Sequence, residues 1–299
     1  MPYKLIGKLD MKKTLLLVVI GSLFLTGCVI AIGGHDYQRS DLKEIKKQLI
    51  LDDVQGVNSF TIKVGRGDLK IIGDKTISRI TVDSVIGSEN GNDYEFSLNR
   101  QGDVVVLIAK TDDHKFDNSH VYLDLIVRVP SSINLDINDG SGHITISDMM
   151  SDVSIDDGSG NMHVTNIAGL VNVHDGSGHI ELKNVDGAVS IKDGSGNISA
   201  TQIGSTLDII DGSGHVEVFH VNGDTSIDDG SGNIQLGDVI GNVKIDDGSG
   251  HIDAHRVSAN VTISDGSGNI KVTESGSLNI IEAGSGHVTI NNILGNVSM

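Results

Sequence analysis

From Asp139 onward the chain repeats one hydrophobic pattern every 18 residues. Asp-Gly-Ser-Gly begins at Asp139, Asp157, Asp175, Asp193, Asp211, Asp229, Asp247 and Asp265, and a ninth copy has Ala283 in place of Asp. Two residues before the Asp runs an apolar column: Ile155, Val173, Ile191, Ile209, Ile227, Ile245, Ile263 and Ile281. Five after it lies a second: Ile144, Met162, Ile180, Ile198, Val216, Ile234, Ile252, Ile270 and Val288. A third begins Ile146, Val164, Leu182, Ala200 and ends at Ile290. The residues between them are polar and variable, so each unit reads as two strands flanking a glycine turn, closed by a corner such as Val185-Asp186-Gly187.

An exact interval without insertions is the mark of stacked units. Eighteen extended residues span about 60 Å, enough for one narrow coil whose inward side chains fill its section. One coil buries too little to offset its ordering entropy, so each needs hydrogen-bond ladders to the coils above and below. Proline is absent from residues 139–299, as strands that all donate to a neighbour require. The expected fold is all-β, a β-solenoid (β-helix) of about nine 18-residue coils over residues 131–299. The rival reading makes each Asp-Gly-Ser-Gly the turn of an antiparallel hairpin in a large sheet or propeller. Uniform unit length and matched columns favour stacking.

Residues 55–130 alternate less evenly. Phe60-Ile62-Val64, Ile80-Val82, Val104-Val106-Ile108 and Leu123-Leu125-Val127-Val129 predict strands of an irregular β-region, and Pro130 marks its junction with the repeats. Arg66-Gly67-Asp68 spells a tripeptide that some cell-surface receptors recognise, but it reads here as a glycine turn between Val64 and Leu69. Residues 28–54 predict a tether and a short helix, with Ser40 as cap and Leu42, Ile45 and Leu49 on one face.

The N-terminus carries a different signal. Lys12-Lys13, an apolar run from Thr14 to Leu25 and then Thr26-Gly27-Cys28 have the n-region, h-region and small-residue site of an export signal over residues 1–27, with Met1 or Met11 as the start. The run is shorter than the roughly 20 residues a bilayer-spanning helix needs. Leu25-Thr26-Gly27-Cys28 resembles a bacterial lipobox, which implies lipid attachment at Cys28 and a membrane partner through that anchor. Val29, rather than Asp, follows the cysteine, and similar lipoproteins of two-membrane cells with that feature go to the outer membrane, facing the periplasm or the cell surface. Cys28 is the sole cysteine, so no internal disulfide forms.

Charge narrows the partners. A formal net charge of −18 argues against nucleic acid, which needs clustered Lys and Arg to displace counterions. Residues 139–299 contain 22 acidic side chains but only five basic ones, Lys183, Lys192, Lys244, Arg256 and Lys271, each in a different column. Phe219 is the sole aromatic there. A solenoid polysaccharide lyase wants a basic residue beside acidic metal ligands, and sugar binders want an aromatic platform. The expectation is therefore no enzyme and no catalytic residues.

Stacking brings like Asp residues about 4.8 Å apart, a repulsion that something must offset. In the preferred reading each Asp accepts amide hydrogens of its own turn, and no metal or other cofactor is needed. The alternative is a row of Ca²⁺ ions held by carboxylates and turn carbonyls, which makes the chain a calcium-responsive envelope module. The residue after each motif alternates strictly, His143, Asn161, His179, Asn197, His215, Asn233, His251, Asn269, His287. Imidazoles about 10 Å apart cannot share one Zn²⁺, so this column reads as a structural ladder in which each His bonds an Asn above and below. A Ser-His-Asp triad is disfavoured, because every odd unit offers the same residue types.

The Val-Arg-Val-Pro segment at 127–130, the irregular β-region and the Asp-Gly-Ser-Gly-X-Ile repeats resemble the bacterial putative-adhesin family over roughly residues 55–299. That resemblance implies a β-helical fold and an envelope location, and it supplies no catalytic residues. The combined expectation is an envelope-anchored lipoprotein whose solenoid serves adhesion, ligand binding or structure. A polysaccharide-acting enzyme stands third. End-to-end self-association through the last repeat is expected as well.

Overall fold

The computed structural model describes residues 42–88, 91, 93–111 and 121–299, and every regular element among them is a β-strand. The export segment, Cys28 and Ser40 lie outside the described residues. No helix long and apolar enough to cross a membrane occurs among the described residues.

Residues 153–170 show how a repeat becomes a coil. In the strand Val153–Asp157 alternate side chains at Val153, Ile155 and Asp157 turn inward. Gly158-Ser159 turns the chain, and Met162 and Val164 enter the core from the strand Gly160–Ile167. Asn166 then takes a left-handed conformation (φ 58°), which breaks the alternation so that Ile167 also points inward. Pairing is parallel and in 18-residue register on both sides: Val153 lies between Leu135 and Val171, Met162 between Ile144 and Ile180. Stacking is thus the observed geometry, and the hairpin alternative is excluded because neighbouring units run parallel. Two further core columns join those read from the pattern, one through Ile167, Val185 and Ile203, the other through Val153, Val171 and Val189.

The glycine turns set the spacing of the stack. Gly178 has φ 146°, and a Cβ placed on it would lie 1.6 Å from the carbonyl oxygen of Gly160 one coil below. At Gly176 the same construction gives 2.5 Å to Gly158 O. Side chains are excluded there by the backbone of the preceding coil, whatever the local φ.

The irregular region is largely part of the same stack. In chain order its strands are β1 (Lys43–Leu51), β2 (Ser59–Val64), β3 (Leu69–Asp74), β4 (Ile80–Ser88), β5 (Tyr94–Gln101), β6 (Val104–Thr111) and β7 (Tyr122–Pro130), followed by the first repeat strands β8 (Asn134–Asp139) and β9 (Ile144–Met149). β2 and β3 form a coil directly under β8 and β9, all in parallel register. β6 and β7 form another coil beneath that one, again parallel. The chain therefore lays down its second layer first, leaves through β4 and β5, and returns to build the layer below. β5 closes β6, and β4 with β1 closes β7, all antiparallel. Residue 130 is a boundary in repeat regularity rather than in the stack.

Within this layer the turn Gly65-Arg66-Gly67 lies on Gly140-Ser141-Gly142: Ser141 N–H donates to Gly65 O at 2.8 Å and Gly67 N–H to Ser141 O at 3.1 Å. The Arg66-Gly67-Asp68 tripeptide is thus a glycine turn, a divergent copy of the repeat turn with Val64 in place of Asp.

Three expectations are corrected. Residues 43–51 are a strand rather than a helix, because a spacing of four (Ile45, Leu49) satisfies both period 3.6 and period two, and pairing along the whole of β4 decides between them. In β6 the fully buried residues are Val105, Leu107 and Ala109, while Val104, Val106 and Ile108 are half-buried. In the last coil Ile280 takes the core position and Ile281 is 68% exposed. There the corner is one residue shorter, pairing Leu278 with Val261 and Ile280 with Ile263, and a bulge restores the register at Glu282.

Two pairs of substitutions test this geometry. Gly214→Ala, where a Cβ would meet Gly196 O at 1.4 Å, is expected to cost more than about 3 kcal/mol in urea unfolding, against about 1–2 kcal/mol for Gly102→Ala in open space at φ 70°. Ile280→Ala should cost about 2–4 kcal/mol, while Ile281→Ala stays within about 0.5 kcal/mol; equal losses would contradict the register slip.

Candidate functional site

Columns of the 18-residue pattern form three kinds of polar side-chain row and one surface cluster. The first is inside. Asp139, Asp157 and their six successors sit at inward positions of their strands and are no more than 6% exposed. In each, Oδ1 accepts the amide hydrogen of the Ser two residues on, at 2.9–3.2 Å. This is the capping expected from the sequence. The burial is not: Oδ2 of all eight is enclosed without a hydrogen-bond partner. Desolvation, helped by the neighbouring carboxylates, pushes Asp139 up to about 7 and Asp157, Asp193, Asp211, Asp229 and Asp247 up to about 6. Asp175 and Asp265 are raised as well, chiefly by burial. Among the described residues no group of three or more His, Cys, Asp or Glu side chains is arranged to hold a metal ion.

The second row is the His/Asn column. It is a ladder, but the acceptors bond backbone rather than one another. His179 N–H donates to Asn161 Oδ1 at 3.2 Å, His215 N–H to Asn197 Oδ1 at 3.1 Å and His287 N–H to Asn269 Oδ1 at 2.9 Å. Asn161 N–H and Asn269 N–H donate to the Nδ1 atoms of His143 and His251, at 3.3 and 3.4 Å. Those two rings therefore carry their proton on Nε2. The alternation works because imidazole and amide can each offer one acceptor at the same height.

The third row lies at the corners. The left-handed position recurs from Asp148 through Asn166, Asn184 and on to Asn292, with φ between 53° and 64°. Asn166 Nδ2 donates to Asp148 Oδ1 at 2.9 Å and Asn184 Nδ2 to Asn166 Oδ1 at 2.8 Å. Four residues farther round the coil, Asn242 Nδ2 donates to Asp224 Oδ1 at 3.1 Å and Asn260 Nδ2 to Asn242 Oδ1 at 3.0 Å. Each of these amide ladders borders an open groove of about 490 Å³. One runs past Thr206, Asp208, Asp224, Asn242 and Lys244, the other past Asp74, Thr76, Asp148, Asn166 and Asn184. In the first, Thr225 replaces the Val or Leu of its core column, and its hydroxyl is buried without a partner.

The surface cluster appears only after folding. Phe219, Gly237 and His255 are successive members of one outward column, and the Phe219 and His255 rings close over Gly237 with centroids 5.6 Å apart. In the next column Arg256 makes a bidentate contact to Asp238 at 2.6 and 2.7 Å, and His220 Nε2 lies 3.6 Å from the same carboxylate. The Arg256 guanidinium holds Asp238 below the usual carboxylate range. Neither groove includes these residues. The signal that could have found the cluster is the 18-residue spacing of His220, Asp238 and Arg256, read down one column rather than by residue class. Lys183, Lys192 and Lys244 remain in separate columns, and Lys271 pairs with Asp253 at 2.8 Å.

Parallel ladders wound around a single core define a β-solenoid protein. The chain belongs to the Toastrack DUF4097 family, whose model matches residues 49–299. The resemblance read from the repeats is borne out at that level. Comparison with curated proteins gives no match. Similar solved structures include a putative adhesin from Parabacteroides distasonis, with 18% identity, 84% of this chain and 98% of that chain covered, and a TM-score of 0.44. A putative lipid binding protein from the same organism has 14% identity, 86% and 96% coverage and a TM-score of 0.42. A putative adhesin from Bacteroides fragilis has 12% identity, 86% and 96% coverage and a TM-score of 0.35. The fold assignment rests on the strand pairing rather than on these overlays.

Because Oδ1 of each turn Asp is taken by an amide and Oδ2 faces the interior, millimolar Ca²⁺ is expected to leave the melting temperature unchanged. A rise with calcium concentration, the mark of a ligand bound by the native state alone, would restore the metal reading.

Proposed function

We propose that the protein is an envelope-anchored binding module: a lipid on Cys28 tethers the chain to the outer membrane, and the solenoid presents its side-chain columns to an extended partner. The observation that carries this reading is the pair of open grooves bordered by amide ladders on a stack held rigid by glycine turns. Donors and acceptors repeating every coil, about 4.8 Å apart, match an extended hydroxyl-rich chain better than a compact molecule. The acidic surroundings disfavour polyanions. A catalytic role finds little support. The repeated carboxylates are buried, and Arg256 with Asp238 stands on an open face rather than in a groove.

A second reading attaches to the last coil. Leu294 is 91% exposed, Met299 79% and Val297 48%, beside the strand Val288–Ile293, whose only partner among the described residues is the strand Gly268–Glu282. Edge-to-edge pairing with a second copy would cover these side chains. Light scattering across a wide concentration range tests it, and a monomer throughout would count against it.

The anchor and the groove are tested separately. In fractionated cells the protein is expected in the membrane fraction and Cys28→Ser in the soluble fraction; retention of Cys28→Ser in the membrane would refute the anchor. Retention of envelope polysaccharide by the immobilised protein should fall about tenfold with Lys244→Glu in the groove. Unchanged retention would move the binding surface elsewhere.

A further inference from the structure

The groups left unexplained by a binding role are the eight buried carboxyls. The turn needs an acceptor at Oδ1 alone, and that need would be met by Asn or Ser. Yet the aspartates from Asp139 to Asp265 recur at every coil, in direct register with one another: Asp139 with Asp157, Asp157 with Asp175, and so on to Asp247 with Asp265. Each keeps an Oδ2 enclosed with nothing to bond. Strand stacking sets neighbours about 4.8 Å apart along the axis. A row of enclosed, fully ionised carboxylates at that spacing is unfavourable through both desolvation and mutual repulsion.

We propose that this row is a proton-binding site: its enclosed carboxyls take up protons as a set, each proton removing a buried charge and its repulsion on the coils above and below. No donor among the described residues reaches these oxygens. A bound proton removes a charge that burial and the neighbouring carboxyls both disfavour. The charged surroundings favour proton uptake at most members. Asp139 is faced by Asp157 and Asp68. Asp156, Asp228 and Asp246 lie beside Asp157, Asp229 and Asp247 respectively, Asp193 has Asp175 and Asp211, and Asp211 has Asp229. Opposing them, His174 acts on Asp175 and His251 on Asp265, where Glu282 pulls the other way. The row titrates as a set, not as eight independent groups.

The sign follows from the raised folded-state values. Each carboxyl is harder to ionise in the fold than in the unfolded chain, so its stabilisation is complete below the ordinary range near 4 and is lost as pH rises, through about 6 for Asp157, Asp193, Asp211, Asp229 and Asp247 and about 7 for Asp139. The solenoid is therefore a module that tightens on mild acidification.

The intact protein tests this by thermal melting at about pH 5.5 and about pH 8.5. The melting temperature should be several degrees higher at the lower pH. Two variants separate the aspartate row from the histidines. In Asp157→Asn/Asp193→Asn/Asp229→Asn each amide still accepts the Ser hydrogen and carries no charge at any pH. This variant should melt higher than wild type at pH 8.5 and lose at least half of the pH difference. His163→Gln/His174→Gln/His220→Gln, which removes the exposed His–carboxylate pairs, should keep most of it. Full pH dependence in the Asn variant, or its loss in the Gln variant, overturns the proposal. Infrared spectra of the wild type give a reading that needs no variant. The carbonyl band of protonated carboxylic acid should be present at about pH 5.5 and disappear toward pH 8.5; its absence at the lower pH overturns the proposal equally.

Discussion

Everything in this molecule depends on how closely one coil approaches the next at the Gly-Ser-Gly turn. There the backbone of each coil occupies the space a Cβ would need in the following one. Parallel ladders on both sides of the turn then hold the two sheets in a common register. A uniform 18-residue interval is the consequence, since one inserted residue would shift every inward side chain outward. The last coil illustrates the constraint. Its corner lost a residue, Ile280 replaced Ile281 in the core, and a bulge brought the chain back into register before the next glycine turn.

Fixed stacking converts each column of the sequence into a physical row, and the polar rows are handled in different ways. Where a row faces water, amide and imidazole acceptors bond the coil above, and Asn or Asp at the left-handed corner links to its neighbours. Where a row faces the interior, only half of each carboxyl is used by the turn. The outer rows make the solenoid a rigid surface of repeated donors and acceptors. The inner one leaves it sensitive to protons. Both properties follow from placing like side chains over one another, and neither needs a residue that is unique in the chain.

The N-terminal end shows how an exposed parallel edge is closed. A chain that simply began the stack with β2 and β3 would leave two unpaired edges. Instead it adds β6 and β7 below them and closes that layer with antiparallel strands carrying Lys43, Lys46 and Lys47 on β1. Antiparallel, lysine-rich closure is a recognised guard against edge-to-edge association. The strand Val288–Ile293 at the other end has no equivalent among the described residues.

The repeats were legible because period-two alternation and an exact interval leave one way to bury the isoleucine files. Stacking, the parallel register and turn capping by Asp could all be derived from residue order alone. Other features depend on what lies alongside. β1 looked helical because a four-residue spacing fits two periods, and only its pairing with β4 selects the strand. The turn at Gly65-Arg66-Gly67 lies outside the 18-residue interval, 75 residues ahead of its partner in the stack, because β4 to β7 intervene in the chain. The left-handed corner residues include Gln202, His220 and Arg256, types that give no local sign of that conformation. Alternation along a strand states which residues share a face. Whether that face meets solvent, a core or a row of its own kind is decided by the neighbouring coils, and that is why the aspartates read only as turn caps in the sequence and prove to be buried in the fold.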